Sequence, residues 1–392
     1  MIPRILSREL RTLLKEYPVV TVLGPRQAGK TTLVRDLLSG YEYVNLEVPN
    51  TRRLAHDDPV AFVRKHQGKI IFDEIQRAPV LLSYLQAIVD ENQVNGQFVL
   101  TGSHQLELRA AIAQSLAGRT AIVHLLPLSI AELAAAGVHY EAFEEYVFQG
   151  FLPRIHAERQ RPHTAWSNYY QTYVERDVRQ LVRIKDASQF EKFMKLLAGR
   201  VGQLINFQSL AADVGVDAKT IREWLSILEA SFLVFKLPPY FENFGKRVIK
   251  SPKFYFTDTG LLAFLLGIEN AGQVSRDPLV GHLFENLVML EALKARYNSG
   301  RVANLYFYRD SHGSEIDLLW SSGRELAGLE IKSAATWNPS FKKTLLRFSD
   351  RQHSLRRMHV IYSGEPVAFS DGVEAVNYHD TASLFSLPAA TD

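Results

Sequence analysis

Gly24-Pro25-Arg26-Gln27-Ala28-Gly29-Lys30-Thr31 decides how the first third of this chain is read. The stretch fits G-x-x-x-x-G-K-[ST] in full. It follows the β-rich apolar run 17–23 and opens a helical run at 31–38, the setting that a phosphate-binding loop requires. Loop amides at a helix N-terminus attract phosphate oxygens. Gly24, Pro25, Arg26, Gln27, Ala28, Gly29, Lys30, Thr31 and Thr32 are therefore read as a nucleotide cradle. Lys30 would neutralise the β- and γ-phosphates, and the Thr31 hydroxyl would ligate Mg²⁺. ATP and Mg²⁺ are the cofactors expected.

Such a loop needs an acid at the end of another apolar strand. Lys69-Ile70-Ile71-Phe72-Asp73-Glu74 supplies a pair. Asp73 would hold Mg²⁺ through water, and Glu74 would polarise the attacking water. A third strand, 97–100, runs into Thr101-Gly102-Ser103. A polar residue there can sense the γ-phosphate, with Ser103 the first candidate and Thr101 the second; the other reading is a plain turn. Arg119 closes Leu116-Ala117-Gly118-Arg119 ahead of strand 120–126. It is either an arginine finger for a neighbour's γ-phosphate or a helix-terminal cation facing the macrodipole. Strands alternate with helices throughout, which predicts an α/β fold with a mostly parallel sheet covered on both faces.

The 392 residues are 46% hydrophobic and 22% charged, material for two or three domains of about 100–200 residues. The absence of cysteine excludes a disulfide framework and a thiolate metal site, and fits a reducing cytoplasm. No run approaches the roughly 20 apolar residues of a membrane span, so no membrane partner is expected. The net charge of +3 makes local charge clusters more informative than the total. The chain divides into a P-loop core at 1–130, a helical lid and linker at 131–186, a third unit at 187–258 and a last one at 259–392.

In the third unit, 207–217 reads as a helix ending in a Gly-centred turn, and 218–229 as a second helix. Ala211, Val216, Ile221 and Leu225 are its inward positions, a helix-turn-helix pattern. Strands at 231–237 and 253–256 complete a winged helix, and the loop between them carries Lys246, Arg247 and Lys250. Lys219, Thr220 and Arg222 of the second helix could face DNA together with Lys246, Arg247 and Lys250; the same fold also serves protein contacts alone.

The last unit places Glu285 on a helix at 281–288, Asp317 at the start of an apolar strand, and Glu330-Ile331-Lys332 at the end of the next. Glu330 and Lys332 alternate with apolar neighbours and so share one strand face. This order resembles the PD-(D/E)xK nuclease core, an α/β restriction-endonuclease-like fold. The resemblance implies that Asp317, Glu330 and Glu285 hold Mg²⁺ and that Lys332 orients water or stabilises the pentavalent phosphate. A binding domain that keeps these charges for structure is the other reading. Lys342, Lys343, Arg347, Arg351, Arg356 and Arg357 follow as a phosphate track or a solvated helix face.

Taken end to end, the chain resembles the bacterial and archaeal AAA-type ATPases that carry a C-terminal domain of unknown function. The matching stretches include 23–33, Phe72-Asp73-Glu74-Ile75-Gln76, Leu100-Thr101-Gly102-Ser103, Pro127-Leu128-Ser129, Tyr173-Val174-Glu175-Arg176-Asp177 and Phe254-Tyr255-Phe256-Thr257-Asp258-Thr259-Gly260-Leu261. One loop departs from the family pattern: Gly-Gly-Phe/Tyr-Pro-Glu is replaced by Gln149-Gly150-Phe151-Leu152-Pro153-Arg154. The resemblance implies an ATPase. The expectation built on it is a homo-oligomer or ring that couples ATP turnover to binding or remodelling DNA, branched or junction DNA included. The rival expectation is a nucleotide-gated switch that binds a protein partner through its winged helix and cuts nothing.

Overall fold

The computed structural model describes residues 2–103, 106–178, 187–240, 251–322, 325–351 and 355–385. Helix α1 (Leu6–Glu16) leads into β1 (Val19–Leu23), α2 (Lys30–Leu37), β2 (Glu42–Asn45), α3 (Pro49–Asp57), α4 (Pro59–Lys65), β3 (Ile70–Asp73), α5 (Leu81–Asn92), β4 (Phe98–Gly102), α6 (Leu106–Ser115) and β5 (Thr120–His124). The five strands form one parallel sheet in the order β2-β3-β4-β1-β5. Successive side chains of a strand point to opposite faces, and β1 is buried throughout. Val20 and Val22 join Leu6, Leu10, Leu33 and Val34 on one face. Val19 and Leu23 join Leu81, Leu85 and Leu116 on the other. The sheet is thus parallel and covered on both faces, as the alternating pattern predicts.

Beyond β5 come α7 (Ile130–Ala135), α8 (Phe143–Gln149), α9 (Pro153–Ala157) and α10 (Pro162–Tyr169). Of the long helix expected from 166 to 184, the described residues form α10 continuing into a π-helix, Tyr170–Val178, and 179–184 lie outside the described residues. Helix α11 (Ala187–Ala198) precedes the helix-turn-helix pair α12 (Phe207–Val214) and α13 (Ala218–Ala230). Gly215 ends α12 at φ 92, and Asp217 caps α13. Ala211, Ile221 and Leu225 are buried, and Val216 packs against the same core. Strands β6 (Val234–Leu237) and β7 (Lys253–Phe256) pair antiparallel. The expected wing cations Lys246, Arg247 and Lys250 lie outside the described residues.

The C-terminal part runs through α14 (Thr259–Leu265), α15 (Ala271–Val274), α16 (Val280–Asn298), β8 (Leu305–Arg309), β9 (Glu315–Ser322), β10 (Glu325–Lys332), α17 (Lys343–Arg351), β11 (Arg357–Tyr362), β12 (Val367–Ala368) and β13 (Val373–Asn377). Its mixed sheet has the order β12-β13-β11-β10-β9-β8. The helix expected at 281–288 is much longer, and α16 is buried almost all round. It is buried on nearly every side because it packs against both the N-terminal and the C-terminal parts, with Glu285, Asn286, Glu291 and Lys294 among its buried residues. One contiguous apolar cluster runs from Val19 of β1 through Trp166, Leu225 and Leu287 to Phe385.

Candidate functional site

The nucleotide loop lies where the C-terminal ends of β1, β4 and β3 meet. Because β4 sits between β1 and β3, it brings Thr101 and Ser103 between the loop and the acid pair. Gly24 packs so close to β5 that a Cβ there would collide with the Leu125 carbonyl. Gln27 at φ 62 and Gly29 at φ 90 turn the chain through left-handed backbone, which concentrates amides on the inner side of the loop. Lys30 folds over this nest, its Nζ donating to Gly24 O and Pro25 O at 2.9 Å each. Burial pulls the Lys30 ammonium below its ordinary pKa, and the charges of Glu74 and Asp73 oppose that shift.

The Thr31 hydroxyl donates to both oxygens of Asp73 at 3.0 Å. Tyr43 OH donates to Asp73 Oδ2 at 2.7 Å, and Thr101 Oγ1 donates to Oδ1. Glu74 sits at φ 58, a left-handed conformation that costs a non-glycine residue roughly 1 kcal/mol or more. Its Oε2 accepts from Ser103 Oγ at 2.9 Å and from Gln76 Nε2. Burial alone would raise the Glu74 carboxyl, but the Lys30 charge and the Gln76 and Ser103 hydrogen bonds hold it below the usual glutamate range. The hydroxyl and carboxylate pair of Thr31 and Asp73 has the hard oxygen chemistry that suits Mg²⁺.

The structure thus brings Lys30, Thr31, Asp73, Glu74, Thr101 and Ser103 together. Arg119 is elsewhere. Its backbone O accepts from Val19 N at the start of β1, so it lies across the sheet from its own loop, about 13 Å away along the strand. Its guanidinium grips Asp90 at 2.5 and 2.8 Å. Arg26 lies over the Tyr173 ring and 3.7 Å from Glu47.

The departing lid loop covers the P-loop by an apolar contact. Pro153 Cγ stands 3.7 Å from where a Gly29 Cβ would be, while Arg154 turns away to Glu158 at 2.9 Å. Phe151 N donates to Asp258 at 3.0 Å, and Gly260 N donates to the same carboxylate at 2.9 Å. Burial pushes the Asp258 carboxyl up to about 7, against the opposing charge of Lys294. Lys294 Nζ lies 3.5 Å from the Phe151 ring centre and donates to Leu128 O at 2.6 Å and Glu291 Oε1 at 2.9 Å. Glu291 in turn accepts from Ile130 N at 3.0 Å. Helix α16 is therefore bonded to the chain segment that joins sheet and lid.

A second polar site opens in the C-terminal part. β9 and β10 are antiparallel, with Leu318 opposite Leu329, which sets Asp317 beside Glu330. Asp317 Oδ2 accepts from Ile331 N at 2.8 Å. Lys332 Nζ bridges the two acids, at 2.7 Å from Glu330 and 3.4 Å from Asp317. Burial raises both carboxyls, Glu330 to about 8 with Asp317 adding to the shift. Glu330 Oε1 is buried with no hydrogen-bond partner. Asp317 and Lys332 line a cleft of 820 Å³ whose other wall includes Gly202, Gln203 and Lys253 from the winged-helix part.

Glu285 lines the same cleft, but its oxygens are taken. Lys253 Nζ reaches it at 3.2 Å, Tyr255 OH at 2.5 Å and His282 at 3.3 Å. Among the described residues, no group of three or more His, Cys, Asp or Glu side chains is gathered for a metal. The two-carboxylate pair with its orphaned oxygen fits one divalent cation; the three-carboxylate set expected from the sequence does not form, because Lys253 claims Glu285. Lys253 also holds Glu315 at 2.6 Å. Among the expected phosphate contacts, Lys219 is exposed and 3.9 Å from Glu223, Arg222 lies over Phe207, and Lys342 pairs with Asp371. Lys343 opens α17, and Arg357 falls in β11 instead of extending that helix.

The sequence reading missed Tyr43, Gln76, Lys253 and Glu315. Two signals pointed to them. Gln76 ends the Asp73-Glu74-Ile75-Gln76 run, and Glu315 shares a strand face with Asp317 at a spacing of two. Lys253 opens an otherwise aromatic strand, and only the packing of β7 on α16 shows what it meets.

Three family models match the chain. An AAA domain matches residues 16–134, a domain of unknown function (DUF8612) matches 140–272, and another (DUF4143) matches 280–380. An uncharacterised protein of Mycobacterium tuberculosis is 34% identical over 376 residues, covering 94% of this chain and 82% of that one. An uncharacterised Haemophilus influenzae protein is 28% identical over 330 residues, covering 79% and 76%. The solved Walker-type ATPase of Pyrococcus abyssi is 15% identical, covers 68% of this chain and 96% of that one, and has a TM-score of 0.44. RuvB of Thermotoga maritima is 18% identical over 59% and 89%, with a TM-score of 0.33. Among the described residues, no helix is long and apolar enough to cross a membrane. With its complete P-loop, its parallel sheet and a relative matched over nearly its whole length, the chain belongs to the family of AAA-type P-loop ATPases that end in the domain of unknown function DUF4143.

Proposed function

We propose that this ATPase works on DNA as a cytoplasmic homo-oligomer, and that its C-terminal cleft is a metal-dependent phosphodiesterase site selective for DNA structure over sequence. In the ATPase site, Lys30 holds the β- and γ-phosphates. Thr31 and Asp73 hold Mg²⁺, which supplies charge neutralisation for the phosphates when bound. Glu74, aimed by Ser103 and Gln76, takes the proton of the attacking water. Arg119, across the sheet from its own loop, serves a neighbouring subunit's nucleotide.

The observation that carries the DNA reading is the cleft of 820 Å³ built jointly by Asp317, Lys332 and the winged-helix residues Gly202, Gln203 and Lys253. A winged-helix part that shares a cleft with a carboxylate–lysine pair suits a phosphodiester backbone. Asp317 and Glu330 would hold a divalent cation there, and Lys332 would steady the charge that builds on the phosphate. Water adds to phosphorus, and the bond to the leaving sugar oxygen breaks. Lys219, Arg222 and Lys343, with Lys246, Arg247, Lys250 and Lys342, supply backbone contacts.

Asp317→Ala should abolish Mg²⁺- or Mn²⁺-dependent cleavage of labelled fork and four-way junction DNA while ATP turnover stays within about twofold of wild type. Wild-type protein that binds every substrate and cuts none would end the nuclease reading and leave the ATPase in place. A second reading, a nucleotide-gated switch that binds a protein partner and cuts nothing, draws support from one feature. Lys253, Tyr255 and His282 already occupy Glu285, as suits a cleft kept for binding.

A further inference from the structure

Arg4 lies far from the P-loop in sequence and is almost fully buried against it in space, its side chain 7% exposed. Its Nη1 donates to Ala28 O at 2.6 Å and its Nη2 to Leu126 O at 2.6 Å. Its Nε donates to Glu132 Oε1 at 3.1 Å. Glu132 is itself fixed. Ile5 N donates to Oε1 at 2.7 Å, and Ser129 N donates to Oε2 at 3.0 Å within the capping box of α7. One guanidinium therefore ties together the phosphate loop, the exit of β5 and the first lid helix.

The bond to Ala28 falls at a sensitive place. Residue 28 lies between the two left-handed residues of the loop, Gln27 and Gly29. A trans peptide is planar, so its C=O and the following N–H point in opposite directions. Holding Ala28 O therefore fixes the aim of the Gly29 N–H, one of the amides with which a P-loop cradles phosphate. The cationic donor also polarises that peptide and strengthens its N–H as a donor.

We infer that Arg4 is a positioning residue of the ATPase site, which orients the Ala28–Gly29 peptide so that the Gly29 amide meets the β-phosphate. Arg4 touches neither nucleotide nor water in this scheme. Its effect belongs to phosphate binding in the ground and transition states alike, so it shows in affinity more than in turnover.

The test measures ADP and AMP affinity by calorimetry, and KM and kcat for ATP, in Arg4→Lys and Glu132→Gln proteins. Arg4→Lys keeps a charge beside Glu132 but cannot fork across two carbonyls. It should weaken ADP binding and raise KM about tenfold. Its AMP affinity, which involves no β-phosphate, and its kcat should change less than about threefold. Glu132→Gln keeps the fork on Ala28 and Leu126 and should move ADP affinity much less. Should Arg4→Lys not fold, Arg4→Gln/Glu132→Gln, which strands no buried charge, carries the same measurement. Equal losses of thermal stability in both single variants, with the ratio of ADP to AMP affinity unchanged, would reduce Arg4 to a structural clamp and overturn the inference.

Discussion

Glu74→Gln protein is expected to bind ATP about as tightly as wild type and to hydrolyse it at least about 100-fold more slowly, the usual loss when a general base is removed. The amide keeps the size of the carboxylate and still accepts from Ser103, so the site stays assembled. It cannot take the proton of water. Lys30→Ala should act earlier, removing ATP binding itself, because the buried ammonium is the only lysine within the loop. Single-turnover hydrolysis with separate measurement of bound nucleotide distinguishes the two. Glu74→Gln protein with wild-type turnover would take Glu74 out of the chemistry and move the base to another residue.

Lys253→Met should cost about 3–5 kcal/mol of stability, the penalty for stranding buried carboxylates. Lys253 has 4% of its side chain exposed, and Glu285 has 11%. Their contact is one of the bonds between β7 and α16, with Tyr255 OH on the same carboxylate. The opposing charges of Glu285, Asp317 and Glu315 raise the Lys253 pKa despite its burial, and Lys253 with the hydrogen bonds from His282 and Tyr255 lowers that of Glu285. Urea unfolding at neutral pH measures the loss. Lys253→Met/Glu285→Gln should recover a large part of it, since the more buried of the two stranded charges is gone and Glu315 keeps Arg309. A loss below about 1 kcal/mol in the single variant would show that water, not Lys253, compensates the cleft carboxylates.

The parts of this architecture that were legible in the sequence are those set by local chemistry. The P-loop spacing, the apolar run that ends in Asp73-Glu74, and the period-two strands around Asp317 and Glu330 need only neighbours in the chain. Asp258 could be quoted as part of a motif, but its grip on the Phe151 amide spans 107 residues, and no periodicity encodes that. Arg4, Lys253 and Lys294 share this trait. Each is a cation buried by elements distant in sequence, and each reads alone as a solvated surface charge. Glu285 shows the same limit from the other side. Its helix and its place in the cleft were foreseen, but its use as a metal donor depends on Lys253, which a different strand delivers. Helix α16 was underestimated because a helix buried all round carries its polar residues, such as Glu291 and Lys294, among apolar ones, with no solvated face to mark its course.

In the function proposed, ATP turnover at the P-loop is tied to DNA held by the C-terminal half. The most direct measurement is ATP hydrolysis by the whole chain, alone and with single-stranded, duplex, fork and four-way junction DNA, repeated across a salt series with binding followed in parallel. Turnover should rise with DNA, most with fork or junction, and the stimulation should fade steeply as salt displaces phosphate contacts. Turnover that is the same with every DNA and without any, together with no salt-dependent binding, would contradict it.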